Sequence, residues 1–289
     1  MYARRPRRIV FATDGSPGAD GALELLCALP FAHEDRVDVV AVPVPLALPL
    51  ETGFGDLSIA YDAAAETTAR SAERLRQCGI QAECRVAEGP LVEAIIGSAR
   101  AVAADLIVVG SRGLGLILGT LLGSTARALV HASPFPVLVV RDRRAAPQRV
   151  LLAVDGSPDS QAAVNALCAV PLARPAEIVV VHVVPDARKE TTRPLDLLCL
   201  VAAKLPPTFT THVEVARGDV AGTILARAAA LGSDLIALGS GGTHSAPLQA
   251  TIADRILSAA HCSVLVARAA QRVKTPEPVT RKAPVATPA

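Results

Sequence analysis

The sequence predicts an α/β protein made of two doubly wound, five-stranded parallel-sheet domains in tandem. Three observations carry the prediction. Short runs of Val, Ile and Leu alternate with Ala-rich helical stretches, the pattern of a parallel sheet covered on both faces. The order of these elements occurs twice along 289 residues, a length that suits two ordinary domains. In the first half a β run feeds a glycine-rich loop that opens a helix, the unit from which doubly wound sheets build ligand crevices.

In chain order, Arg8 to Thr13 reads as a strand that ends at Asp14-Gly15-Ser16-Pro17. Ser16 suits a helix N-cap and Pro17 the first helical position. That helix runs to about Leu29 and stops at Pro30. Val37 to Val42 is the second strand, and a loop from Pro43 to Gly55 follows, interrupted by Pro45 and Pro49. Ser58 to Cys78 is a long helix with Gly79 as its stop. Ile80 to Ala87 alternates as a strand, and Gly89-Pro90 starts a helix that reaches about Ala103. Leu106 to Val109 is an apolar β run ending at Gly110. After the glycine loop, Gly123-Ser124-Thr125 opens a helix to about His131, and Pro136 to Val140 closes the half.

The second half repeats this order. Asp14-Gly15-Ser16-Pro17 recurs as Asp155-Gly156-Ser157-Pro158, and Cys27-Ala28-Leu29-Pro30 recurs at the same offset as Cys168-Ala169-Val170-Pro171. Asp105-Leu106-Ile107 recurs at a smaller offset as Asp234-Leu235-Ile236, and Val137-Leu138-Val139 at one smaller still as Val264-Leu265-Val266. The falling offset predicts a shorter loop and helix after the second strand, and then a glycine loop two residues shorter. Domains of 1–142 and 149–269 follow, with Arg143 to Gln148 as linker and 270–289 as a disordered, Pro- and Thr-containing tail. Right-handed crossovers make each half a doubly wound sheet whose ligands sit at the carboxyl ends of strands. The apolar last strands, Pro136 to Val140 and Ser263 to Val266, are expected to pair across the halves as an internal pseudo-dimer, with a homodimer left open.

The glycine spacing is Gly110-x-x-Gly113, nine residues, then Gly123-Ser124. It is not the dinucleotide fingerprint, since Gly113-x-Gly115 is followed by Gly119, one residue late; it is not a Walker A loop, since no lysine follows Gly123. It resembles the nucleotide loop of ATP-binding members of the universal stress protein family, Gly-x-x-Gly-x9-Gly-Ser/Thr, and the resemblance extends over both halves. It implies a Rossmann-like sheet with strand order 3-2-1-4-5 and ATP, with or without Mg2+, as ligand. Under it, Asp14 would sit beside the ribose or adenine, Val42 would meet the adenine edge, and Val109 and Gly110 would line the ribose. Gly113, Gly123, Ser124 and Thr125 would hold the phosphates by backbone N–H and hydroxyl. Family loops often carry a basic residue between the second and third glycines; Leu114 to Leu122 has none, leaving Arg112 and Arg127 as the nearest cations. The same residues have plainer readings: a β-to-α turn at Asp14 to Pro17, a core valine at 42, an ordinary N-cap at Ser124, and an apolar lid or subunit contact at Leu114 to Leu122. The second half keeps Asp155, Val183, Gly239 and Gly242, but reaches Ala250-Thr251 after only seven residues, so its site is expected to be weaker or empty.

Composition excludes other classes. Aromatics are 2% of the chain, too few for base-stacking platforms, and a net charge of +2 gives no broad nucleic-acid footprint. The arginines at 4, 5, 7 and 8 read as a solvated arm. Six cysteines with no C-x-x-C pair argue against a disulfide framework or zinc site. No signal peptide is read before the first strand, and no apolar run approaches the roughly 18 residues of a membrane span; the expected setting is cytoplasmic. No nucleophile–His–Asp set, paired carboxylates or phosphoryl-steadying lysine accompanies the loop. The expectation is therefore a nucleotide-dependent regulatory or stress-response protein acting on an unknown protein partner. Slow ATP hydrolysis or self-phosphorylation at Ser124 stays open. The alternatives are a nucleotide-free scaffold of the same fold and, disfavoured by the missing catalytic set, a transferase or hydrolase on the same sheet.

Overall fold

The protein is described by a computed structural model covering residues 6–44, 57–113, 122–141, 145–172, 176–186, 194–241 and 251–269. The first half runs β1 (Arg8–Ala12), α1 (Pro17–Ala28), β2 (Arg36–Ala41), α2 (Leu57–Gln77), β3 (Gln81–Val86), α3 (Leu91–Ala101), β4 (Leu106–Gly110), α4 (Ser124–Ala132) and β5 (Val137–Val140). The second runs β6 (Arg149–Ala153), α5 (Pro158–Ala169), β7 (Glu177–Val184), α6 (Pro194–Ala202), β8 (Thr210–Arg217), α7 (Val220–Ala230), β9 (Leu235–Gly239), α8 (Ile252–Ala259) and β10 (Ser263–Ala267).

All ten strands join one sheet in the order β3-β2-β1-β4-β5-β10-β9-β6-β7-β8. Each half thus has the order 3-2-1-4-5, read inward from its outer edge. Pairing is parallel throughout except at the seam, where β5 and β10 run antiparallel with Val139 opposite Val264, Leu138 opposite Leu265 and Val137 opposite Val266. The expected internal pairing of the last strands is what forms: two apolar edges that would otherwise be open templates close on each other.

Strands buried on both faces read as continuous apolar runs, and their alternation feeds two cores. Ile9 and Phe11 point to one face, under α1 and α2 and, across the seam, α5 and α6. Val10 and Ala12 point to the other, under α3, α4, α7 and α8. Phe11 is fully buried, so truncating it to Ala would cost about 3–5 kcal/mol. The shorter second-half crossover is visible as helix length: α2 has 21 residues and α6 has 9.

Element ends differ from the sequence reading by one or two residues, and one difference has a clear cause. α3 ends at Ala101 rather than near Ala103, because Ala103 takes a left-handed φ of 49°. The Ala104 N–H then donates to the Ala99 carbonyl, and the Asp105 N–H donates to the Arg8 carbonyl as the chain turns into β4. The expected tail at 270–289, most of the loop from Pro43 to Gly55, Leu114 to Leu121, Gly242 and Ala250 lie outside the described residues. Among the described residues no helix is long and apolar enough to cross a membrane.

Candidate functional site

β1 and β4 are hydrogen-bonded neighbours whose chains depart to opposite faces of the sheet, so their carboxyl ends flank a crevice. A cavity of about 130 Å³ lies there. All eight residues singled out from the sequence line it: Asp14, Val42, Val109, Gly110, Gly113, Gly123, Ser124 and Thr125. Larger hollows, about 480 Å³ beside Gly232 and His261 and about 450 Å³ beside His33 and Glu83, sit at the amino ends of the strands. Helix C-termini, not N-termini, converge on that side, so those hollows are poor places for an anion.

The cleft has two chemically different ends. One is apolar: Val42 and Val44 past β2, and Leu91 and Ile95 on α3. Val44 is 62% exposed, a large aliphatic side chain held at the lip. The other end is polar, with Thr13, Asp14, Arg112, Gly113, Ser124 and Thr125. Leu91, Ile95 and Val44 were not singled out from the sequence, because an apolar helix face and an apolar strand end look the same whether they meet a core or a ligand.

The polar end is built by local rules. Ser16 caps α1 by accepting the Ala19 N–H, and Pro17 follows it. Asp14 Oδ1 accepts the Ser16 N–H at 3.0 Å, with Gly15 at a φ of 72°. The turn-and-cap reading of Asp14 to Pro17 is therefore structurally real, and the same carboxylate also faces the cleft. Ser16 Oγ in turn donates to the Arg112 carbonyl at 3.1 Å, tying the loop after β4 to the start of α1. Two glycines allow that closeness. A Cβ on Gly110 would lie 2.5 Å from the Gly18 backbone, and one on Gly113 would lie 2.5 Å from Asp14 Oδ2.

Gly123 behaves differently from its sequence reading. Its φ of −71° suits any residue, and a Cβ there would make only ordinary contacts, the nearest being the Ser111 carbonyl at 3.4 Å. Its N–H donates to that same carbonyl at 2.7 Å, so it closes the loop instead of pointing free into the cleft. Gly123 itself is the N-cap of α4 and no side chain caps the helix, so Ser124 is not the N-cap that the plainer reading made it. The donors α4 presents to the cleft are the N–H groups of its first turn.

The two candidate cations separate. Arg112 lines the cleft. Arg127 turns away and donates to Ser258 Oγ on α8 at 3.2 Å. A third guanidinium, Arg141 at the end of β5, is buried and donates to the Leu257 carbonyl. Burial, and secondarily Arg112, push its pKa down.

The second half has a smaller cavity, about 60 Å³, between Asp155, Val183, Gly239, Val220 and Ile252. Asp155 is the carboxylate that lines it, and three further aspartates, near in sequence to lining residues, hold the elements around it. Asp159 Oδ2 accepts from Ser240 Oγ and Gly241 N, holding the loop after β9 against α5. Asp219 caps α7 and pairs with Arg255 at 2.7–2.8 Å, which together with the Gly222 N–H holds its pKa down at about 2. Asp254 completes a capping box with Thr251 at the start of α8 and meets His131 of α4 at 2.8 Å. Burial pushes the Asp254 carboxyl up, but Thr251 and His131 outweigh it and leave it below the usual range.

The fold and the clefts define a tandem doubly wound α/β protein with one crevice per half. The chain belongs to the universal stress protein family: the family's profile, described as the universal stress protein family, matches residues 6–141 and again 147–268. A universal stress protein of Mycolicibacterium smegmatis is 24% identical over 293 residues, covering 90% of this chain and 96% of the relative. One from Thermus aquaticus is 34% identical over 141 residues, 47% of this chain and 98% of the relative, so it corresponds to one unit of the tandem. A universal stress protein structure from Archaeoglobus fulgidus superposes with a TM-score of 0.70 at 22% identity, covering 90% of this chain and 98% of that one. A universal stress protein structure from Pseudomonas aeruginosa gives 0.59 at 16% identity, covering 91% and 93%.

Proposed function

We propose that the first-half cleft binds a nucleotide, with ATP as the occupant its chemistry fits best, and that occupancy regulates contacts with a protein partner in a stress response. The observation that supports this most is the polarity of the cleft. Val42, Val44, Leu91 and Ile95 offer an apolar slot for a base at one end, while Arg112 and the uncapped N-terminus of α4 offer charge and N–H donors at the other. An anion at a helix N-terminus gains about 0.3–1 kcal/mol from the dipole, with charge-assisted hydrogen bonds in addition. Asp14, at the polar end, takes the ribose hydroxyls; Val109 and Gly110 form the floor. Gly113 keeps the loop close to Asp14, Gly123 ties it to the helix, and Ser124 and Thr125 supply hydroxyls and N–H groups to the phosphates.

Among the described residues no group of His, Cys, Asp and Glu side chains converges to hold a metal. Mg2+ accompanying ATP would therefore be held mainly by the phosphates. The regulatory reading, in place of a rapid enzyme, follows from the described residues at the cleft, which include no lysine and no histidine. We assign the units to 1–142 and 149–269, and six free cysteines suit a reducing, cytoplasmic setting.

Isothermal titration of the full chain with ATP, paired with mass spectrometry of nucleotide retained through purification, tests the reading. One strong site per chain is expected. Absence of both retained and titratable nucleotide would move the assignment to a scaffold of the same fold.

A further inference from the structure

Cys27 lies in the last turn of α1, and Cys78 is the first residue past α2. The fold brings them together at the end of the sheet opposite the cleft. Cys27 Sγ lies 3.8 Å from the Arg74 carbonyl oxygen, and that oxygen accepts the Cys78 N–H at 3.2 Å. Both side chains are half-buried against the same core, so each has an apolar backing and some access from solvent. Neither takes part in the cleft chemistry.

The second half provides the comparison. In the aligned repeats Cys168 occupies the position of Cys27, but Pro207 occupies the position of Cys78. The Cys168 thiol is raised by burial alone. The Cys27 thiol is pushed up to about 12, by burial first and then by the neighbouring Cys78. At these matched positions, two cysteines that share one backbone carbonyl, that of Arg74, occur in the first half only.

We propose that Cys27 and Cys78 form a reversible dithiol–disulfide site whose oxidant is a hydroperoxide. Cys78 is the attacking sulfur, because the Cys27 thiol is engaged as a donor to the Arg74 carbonyl. The Cys78 thiolate attacks one peroxide oxygen and the O–O bond breaks. The Cys78 proton leaves with the other oxygen as water, and Cys78 becomes a sulfenic acid. The Cys27 sulfur then attacks the Cys78 sulfur. The S–S bond forms, the S–O bond breaks, and the departing hydroxide takes the Cys27 proton as a second water. Two electrons pass from the two thiols to one hydrogen peroxide. A dithiol reductant reverses the reaction by exchange. The bridge would clip the C-terminal ends of α1 and α2 together.

The test uses the full-length protein, reduced and then exposed to one equivalent of hydrogen peroxide. Thiol titration should show the loss of two of the six thiols, restored by dithiothreitol. Peptide mapping should find Cys27 joined to Cys78 within one chain, with Cys168 still reduced. Cys27→Ser should stop the reaction at a Cys78 sulfenic acid that dimedone traps, and Cys78→Ser should leave Cys27 reduced. Circular dichroism checks that both variants fold. A bridge between any other pair, a bridge between chains, or a Cys27 that oxidises equally in Cys78→Ser would overturn the proposal.

Discussion

The two clefts of this chain start from the same turn, the same strand order and the same helices, yet they are finished in opposite ways. Three aligned positions make the difference. Gly18 in the first half is Asp159 in the second, Pro90 is Asp219, and Arg127 is Asp254. Each of the three aspartates sits in the first turn or at the N-cap of a helix aimed at the second cleft, and each accepts N–H or hydroxyl hydrogen bonds there. Helix N-termini attract an anion whatever its source. The second half supplies the anions from its own side chains, and its cavity is less than half the size, about 60 Å³ against about 130 Å³. The first half leaves α3 and α4 without side-chain caps and places Arg112 in the cleft beside them. One copy of the module has donors waiting for an external anion. The other has closed the same positions internally, and its Asp254 also reaches His131 across the seam, so its self-capping helps hold the halves together.

The strongest way to break this comparison is at the loop glycines. Gly113→Val places a Cβ where Asp14 Oδ2 already lies, 2.5 Å away, and so displaces either the carboxylate or the loop. ATP binding should weaken at least tenfold, about 1.4 kcal/mol. In the second half, a Cβ on Gly241 meets Asp159 Oδ2 only at an ordinary 3.5 Å. Gly241→Val should leave ATP binding unchanged. Titration of both variants decides it, with melting curves to confirm folding; equal losses, or a loss for Gly241→Val alone, would reverse the assignment of the open site.

A smaller effect sharpens the charge argument. Arg127→Asp gives the first half the sequence Ser124-x-x-Asp, the register of Thr251-x-x-Asp254 in the second. The new carboxylate would sit in the first turn of α4 and compete with a phosphate for the positive end of the helix. ATP affinity should fall roughly two- to fivefold, the equivalent of ~0.3–1 kcal/mol of dipole interaction. Arg127→Ala removes the exposed contact with Ser258 without adding a carboxylate, and should change affinity much less. If the Asp and Ala variants bind alike, self-capping does not explain the difference between the clefts.

Much of this was legible in the sequence, for reasons that can be located. The offsets between repeats fixed the element order and the pairing of the two apolar last strands, because an unpaired apolar edge has few other stable outcomes. Gly110 and Gly113 were legible because close backbone approach leaves a residue type behind. Gly123 was less legible: its N–H donates to the Ser111 carbonyl in a way that depends on how the loop closes, and its backbone would accept any residue. Arg112 and Arg127 were equal candidates in sequence, and only the packing of α4 against α8 sends Arg127 away from the cleft. The three aspartates were present in the aligned repeats, but an aspartate near a helix start reads as a routine cap until the fold shows all three bonded on elements that border one cavity.

The smallest expected effect concerns the cap on α7, and its sign follows from the shift. Asp219 has a folded-state pKa of about 2 against an ordinary 3.8, held down first by its hydrogen bonds with Arg255 and then by the Gly222 N–H. A carboxylate depressed on folding adds stability that is present above its ordinary value. That stability is lost as pH falls through the window from 3.8 to about 2. The first half has Pro90 at the matching place and no carboxylate to lose. Asp219 and Arg255 are both well exposed, so solvent and salt screen the pair and the contribution is small. Asp219→Asn should therefore melt slightly below the parent near neutral pH, and the two curves should converge as pH falls through that window. High salt should narrow the gap at neutral pH. ATP affinity should not move, because the cap belongs to the closed cleft. Melting curves that stay parallel down to about pH 2, or a loss of ATP binding, would show that Asp219 does something other than cap α7.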